Sequence, residues 1–216
     1  MRTALAAVFL ALTALSARAG TTGRELFDAH DCVACHRVGF RGGEAGPDLT
    51  LVGVRHARAW IALWLKSPHA WRPSTLMPEQ GLSEADRAEL ATFLSEQKGQ
   101  AWGERRPWDG LSGLAEGKNI YERAGCIACH GTAGRGGHPN PGALGGVIPA
   151  LAPVMGTYTA AELAAKISNG STPTPAGAAP AAIAMPAWKG ILRPAELDAL
   201  TQYLLSLAAG QPKTDW

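Results

Sequence analysis

Two cysteines three residues apart, followed at once by a histidine, occur twice in this chain. The copies are Cys32-Val-Ala-Cys35-His36 and Cys126-Ile-Ala-Cys129-His130, and together they hold all four cysteines. Thiols at this spacing share one helical turn. They can add to the two vinyl groups of one porphyrin and form thioethers, while the adjacent imidazole ligates iron through a ring nitrogen. This is the attachment pattern of c-type haem. The reading is therefore two covalently bound haem c groups. Cys32, Cys35, Cys126 and Cys129 would be the attachment points, with His36 and His130 as axial ligands. A thioredoxin-like redox pair would want a βαβ pattern around Cys-x-x-Cys and leaves the repeated His unexplained. Structural zinc pairs usually lie about 15–20 residues apart, far closer than these. Local disulfides again leave the histidines idle.

Each iron needs a sixth ligand or an open face. Beyond the initiator, the sequence offers Met77, Met155 and Met185, with His30, His56, His69 and His138 as spare imidazoles. Met77 and Met185 each precede a proline, and each stands ahead of the last helical pattern of its half. An X-Pro bond keeps the methionine out of the helical region, so its thioether can lie across a haem from an extended loop. Methionine is more often a core filler. Two Met-Pro pairs at matching positions favour ligation here. Met155 reads as core. His56 and His69 flank a Trp-rich helix, Ala57–Lys66, and read as surface or packing residues. His138 sits in a Gly-rich loop, and His30 lies on the attachment helix, poorly placed for the opposite face.

These residues sit in a repeat. Gly23 and Phe27 precede the first motif as Gly117 and Tyr121 precede the second, and each segment reads as one helix running into its cysteines. Gly46-Pro47-Asp48-Leu49 pairs loosely with Ile148-Pro149-Ala150-Leu151. The halves close on helical patterns over Ser83–Lys98 and Pro194–Leu207. Ser83-x-x-Asp86 predicts a capping box, Pro194 suits a first helical turn, and Gly210 suits a C-cap. The spacing drifts: His36 to Pro47 is 11 residues, but His130 to Pro149 is 19. Leu49 to Met77 is 28, but Leu151 to Met185 is 34. The additions fall in Gly/Pro-rich loops. Residues 99–114 carry two tryptophans and no sustained period, and read as a linker. The expected division is 20–98, a first domain; 99–114, the linker; 115–210, a second domain; and 211–216, a tail. Both domains are small for an unaided apolar core, which a covalent haem would supply.

Residues 1–19 read as a signal peptide, with Arg2 at the start, an apolar core over Ala4–Leu15, and cleavage after Ala19. An uncleaved anchor is the alternative, although the stretch is short for a span. No cysteine near the cut indicates a lipoprotein. Deeper in the chain, no run approaches the roughly 18 apolar residues of a membrane span. The predicted destination is a periplasm. The whole chain of 216 residues carries 20 basic and 18 acidic side chains, a net +2. Removing Arg2 and Arg18 leaves the mature chain neutral. There is no basic field or run for nucleic acid. With 26 glycines, 15 prolines and 18% charged residues, the chain is rich in turns.

The two Cys-x-x-Cys-His motifs, with Gly-x-x-x-Phe/Tyr upstream and Met-Pro downstream, resemble class I cytochromes c. The doubled plan is similar to two-domain dihaem cytochromes of the c-four type. The resemblance implies an all-α fold of two tandem domains, each a few helices around one haem. It implies His36 and His130 as proximal ligands and Met77 and Met185 as distal ones. It implies that the Pro47 and Pro149 carbonyls accept the other ring N–H of those histidines, fixing ring orientation. It also implies that Gly23 packs on Phe93 and Gly117 on Tyr203. The first half, through Gly46–Leu49 and Trp60–Leu65, looks more like single-haem modules attached to reductases and oxidases. The second is not its close copy, so unlike potentials are expected.

With both irons saturated, the expected function is electron transport between redox proteins, with no catalytic residue. A dihaem peroxidase or sulfur-anion oxidase is the catalytic alternative, and it needs a replaceable distal ligand and a nearby acid or base. An electron-transfer subunit of a larger oxidoreductase is another, with the tryptophans of the linker as an interface. A neutral chain gains little steering, so docking would rest on a local apolar patch. Trp188 reads equally as a residue at such a haem edge or as core.

Overall fold

Thr22 starts the first helix. Its hydroxyl accepts from the Glu25 N–H, and the Glu25 carboxylate accepts from the Thr22 N–H at 2.7 Å, a reciprocal box that satisfies two otherwise orphaned donors. The computed structural model describes residues 21–172 and 183–209. The expected signal peptide, Gly210 and the tail lie outside the described residues.

In the first half, α1 (Gly23–Ala29) is followed by α2 (Cys32–Cys35), and a short antiparallel pair joins β1 (Arg37–Val38) to β2 (Arg41–Gly42). Then come α3 (Val52–Arg55), α4 (Arg58–Lys66), α5 (Pro68–Trp71) and α6 (Glu84–Ser95). The second half contains α7 (Gly113–Arg123), α8 (Cys126–His130), α9 (Ala152–Met155), α10 (Ala160–Asn169) and α11 (Pro194–Ala209). The architecture is all-α, in two similar halves. No helix among the described residues is long and apolar enough to cross a membrane.

The segment before each cysteine pair is two helices rather than the single one expected. Asp31, at φ 54, separates α1 from α2, and Gly125, at φ 86, separates α7 from α8. A left-handed residue ends the hydrogen-bond ladder and turns the chain, so the cysteine turn leaves at a new angle.

The first and last helices of each half cross where glycine removes the side chain. A Cβ on Gly23 would lie 2.4 Å from the Glu89 carbonyl oxygen and 2.5 Å from Phe93 Cβ. One on Gly117 would lie 2.1 Å from the Ala199 carbonyl oxygen and 2.7 Å from Tyr203 Cβ. Beside these crossings Phe27 packs on Phe93, and Tyr121 packs on Tyr203. The cap of α6 is half of the expected box: Ser83 accepts from the Asp86 N–H, and its hydroxyl donates to the Asp86 carboxylate. A full box stands instead at Thr159–Glu162, before α10.

The first core gathers Phe27, Val38, Ile61, Leu65, Leu90 and Leu94. The second takes in residues from outside its half: Leu51 of the first half, and Trp102 and Trp108 of the segment read as a linker. That segment is built into the protein. Trp108 is 1% exposed and donates to the Glu196 carboxylate at 2.8 Å, while Trp102 meets it edge-on. The Gly99 N–H donates to the Thr50 carbonyl. Large apolar rings gain more from burial than from contact with water, so these tryptophans are an internal seam and not an interface for an outside partner.

Candidate haem-attachment sites

In the first half, α2 presents Cys32 and Cys35, and the chain turns extended at His36. The loop after β2 folds back over this turn. Gly43 N–H donates to the Val33 carbonyl and Gly46 N–H to the Cys35 carbonyl. A Cβ on Gly46 would meet the His36 ring at 2.5 Å, so only glycine lets the loop lie on the imidazole. His36 Nδ1 is 2.9 Å from the Pro47 carbonyl oxygen. A carbonyl only accepts, so Nδ1 carries the proton and Nε2 keeps its lone pair for a metal. Burial holds the His36 pKa below its usual value, which favours the neutral ring a metal needs. Met77 packs against the first core, as do Cys32, Val33 and Trp60. Its sulfur accepts the Trp64 indole N–H at 3.0 Å.

The second half encloses a cavity of about 440 Å³, walled by Cys126, Cys129, His130, Met155, Met185 and the first half's Arg55. Cofactor pockets commonly measure about 300–1,000 Å³ and are mostly apolar. A c-type haem fits this setting: two thiols, an imidazole and thioethers face one apolar cavity. His130 is likewise held neutral, its pKa brought to about 4 by burial, with His138 adding and the Pro149 carbonyl opposing. That carbonyl is near, yet His130 Nδ1 is buried with no hydrogen-bond partner. The Pro149 carbonyl therefore faces His130 in a looser contact than the one Pro47 makes with His36. The longer loop explains the difference, because it bonds to itself: Gly136 N–H donates to the His130 carbonyl, and Leu151 N–H to that of Gly134.

Met185 is fixed by paired main-chain bonds to Ser171, each 2.9 Å. Met155, expected in the core, is 3% exposed and also forms cavity wall. Trp188 is 3% exposed and belongs to the core, not to a docking surface. Burial pushes the Cys126 thiol up to about 12 and raises Cys32 and Cys129 as well. This is opposite to the lowered thiols of disulfide-exchange sites. None of the four cysteines is in a disulfide, and among the described residues no three His, Cys, Asp or Glu side chains converge as a metal cluster.

The remaining histidines make contacts of their own. His56 stacks on Trp60 at 3.7 Å, and burial, with Arg55 beside it, lowers its pKa to about 3. His69 lies 3.5 Å from the Glu79 carboxylate. The His30 carbonyl faces Cys32 Sγ at 3.9 Å. His138 stands near His130.

A group of charged residues absent from the sequence reading joins the halves. Arg123 of α7 donates to the buried Asp48 carboxylate at 2.6 Å and to the Gly39 carbonyl. Arg72 donates to the Ala128 carbonyl in α8, and Arg55 to the Ala124 carbonyl, both at 2.7 Å. No repeat or period marks these positions. An arginine whose partner lies 56 to 84 residues away carries no local signal.

The family profile for cytochrome c matches residues 20–98 and 114–208. Cytochrome c oxidase subunit 2 of Alkalihalophilus pseudofirmus is 31% identical over 85 residues, a match covering 35% of this chain and 25% of that protein. The chain thus spans about a quarter of that relative's length. No solved structure matches it. The matched segments contain both Cys-x-x-Cys-His turns, and the chain belongs to the cytochrome c family of electron-transfer proteins with covalent haem c.

Proposed function

We propose that this chain is an exported, periplasmic dihaem cytochrome c that carries single electrons between redox proteins and performs no catalysis of its own. The observation that carries the reading is the doubled donor set. In each half a half-buried histidine with a lowered pKa follows two thiols, and a methionine lies in the same pocket or core. The first haem domain would span 20–98 and the second 115–210, with 99–114 as the packed connection.

A bound haem c supplies an iron that takes up and releases one electron. Cys32, Cys35, Cys126 and Cys129 would hold it covalently. His36 and His130 would ligate it through Nε2, with the Pro47 carbonyl keeping the proton of His36 on Nδ1. The thioethers of Met77 and Met185 would be the further ligands, a donor type that favours the ferrous state. The apolar walls would keep water from the site.

A second reading is favoured by the 85-residue match to cytochrome c oxidase subunit 2: the chain passes its electrons within a larger oxidase rather than as a free shuttle. For carrier against enzyme, the test is carbon monoxide added to the reduced holoprotein. Slow or absent binding at both haems is the carrier result. Rapid binding at one haem, with peroxidase or sulfur-anion oxidase turnover, would overturn it.

A further inference from the structure

The two loops that lengthen the second half meet at one side chain. Asn140 stands in the longer connection from His130 to Pro149, and Ile183 in the longer one from Leu151 to Met185. Asn140 is 4% exposed. Its Nδ2 donates to the Ile183 carbonyl at 3.0 Å, and its Oδ1 accepts from the Ile183 N–H at 2.8 Å. A side chain thus pairs with a main chain 43 residues away, as one strand residue pairs with another. Donor and acceptor are both matched, which fixes the orientation of the amide.

The main chain of Asn140 is occupied within its own turn. Its N–H donates to the Gly146 carbonyl, and its carbonyl accepts from the Ala143 N–H. Only the side chain is free to reach across. Ile183 lies two residues ahead of Met185. Met185 pairs with Ser171, and the Trp188 N–H donates to the Ile167 carbonyl. Those bonds tie the methionine segment to α10 and the residues just after it. The Asn140 amide ties it to the other loop, the one that follows His130. Asn140, Ala143 and Val147 from one loop and Ile183, Ala184 and Met185 from the other all line the cavity that Cys126, Cys129 and His130 share.

We propose that Asn140 is the positioning residue for Met185: its buried amide clasps the methionine-bearing loop to the loop that follows His130 and keeps the thioether in the cavity. The inference rests on the reading of Met185 as a distal ligand. Swinging the methionine out would break both hydrogen bonds and strip the amide of its partners. A buried polar group left unpaired is costly, so the two bonds favour the closed arrangement by about tenfold or more. The first half has the shorter loops, and there the Trp64 indole meets the Met77 sulfur instead. The halves hold their methionines by different means, a ring N–H on the sulfur and a clasp on the main chain.

The test is titration of the purified ferric holoprotein with imidazole, after its haem content has been measured. Imidazole takes the iron only when the methionine is off, so its apparent Kd is the intrinsic Kd divided by the open fraction. Met185→Ala is open throughout; it identifies the binding phase of the second half and gives the intrinsic value. Asn140→Leu keeps the size of the side chain without its hydrogen bonds. It should tighten imidazole binding at the second half by about tenfold or more, and leave the first half within about twofold. In the Met185→Ala background the same substitution should change the affinity by less than about twofold, because no methionine remains to be held. Asn140→Ala, with the same expected results, is the second variant should Asn140→Leu fail to mature.

A residue that merely fills the loop gives different results. Unchanged affinity in both Asn140 variants, equal tightening at both halves, or the same tightening with and without Met185 would each overturn the inference and leave two haems standing. One haem per chain, or a Met185→Ala protein with its methionine–iron charge-transfer band and imidazole affinity unchanged, would overturn the underlying reading and the inference with it.

Discussion

The indole N–H of Trp64 points at the sulfur of Met77, 3.0 Å away. Thioether sulfur is a weak acceptor, so the contact orients the methionine more than it binds it. The proposed distal ligand of the first half is therefore held by α4, the helix that also supplies Trp60 to the first core's edge. In the ferric holoprotein, Trp64→Phe should leave the methionine–iron charge-transfer band present at room temperature. The band should be lost at lower temperature on heating, by an amount corresponding to about 1 kcal/mol, the usual worth of one hydrogen bond. Identical melting of the band in both proteins would show that the contact holds nothing.

Two methionines reach the second cavity, Met155 from α9 and Met185 from the strand-like pairing with Ser171. Only Met185 precedes a proline. Met185→Ala should remove about half of the total methionine–iron charge-transfer intensity. Met155→Ala should keep that intensity and act as a core deletion, costing about 2–5 kcal/mol. Loss of the band in Met155→Ala, with Met185→Ala unaffected, would exchange the two roles.

Gly117 permits the α7–α11 crossing, and a methyl group there would press on the Ala199 carbonyl at 2.1 Å. The obstruction is backbone and cannot rotate away. Gly117→Ala should destabilise the second half by about 1–3 kcal/mol, the range for overpacking. Gly156→Ala is the comparison: nothing lies within 4 Å of its Cβ position, and its φ is −69. It should stay within about 0.5 kcal/mol of the parent. Guanidinium unfolding of all three proteins checks the pair.

His56 gives a pH dependence with a definite sign. Burial and Arg55 hold its folded pKa at about 3, against an ordinary value near 6.5. Below that ordinary value the unfolded chain takes up a proton that the folded chain refuses. Its contribution is full above pH of about 6.5, falls as the pH drops, and is lost through about pH 3. His56→Phe keeps a ring against Trp60 and removes the titration. The gap in denaturation midpoint between pH 7 and pH 4.5 should be smaller in the variant than in the parent. An unchanged gap would assign the acid sensitivity to other groups.

The chemistry-bearing residues were legible because covalent haem attachment demands a contiguous motif, and duplication displayed it twice. The repeat aligned Gly23 with Gly117, and the family resemblance implied their packing on Phe93 and Tyr203, where close helix crossing needs glycine. What escaped was long-range. Asp31 and Gly125 break the helices through a backbone angle, which apolar periodicity does not register. Trp102 and Trp108 resembled a linker because their partners, such as Glu196, lie about 90 residues away. Arg55, Arg72 and Arg123 act across the halves, each through one side chain meeting main-chain carbonyls or a distant carboxylate.

The number of covalent haems tests the account most directly. The purified holoprotein should give two haems per chain in a pyridine haemochrome assay, with the chain quantified by amino-acid analysis. Both should stay with the polypeptide in acidified acetone, because thioethers survive that treatment. One haem per chain, or haem extracted into the solvent, would contradict it.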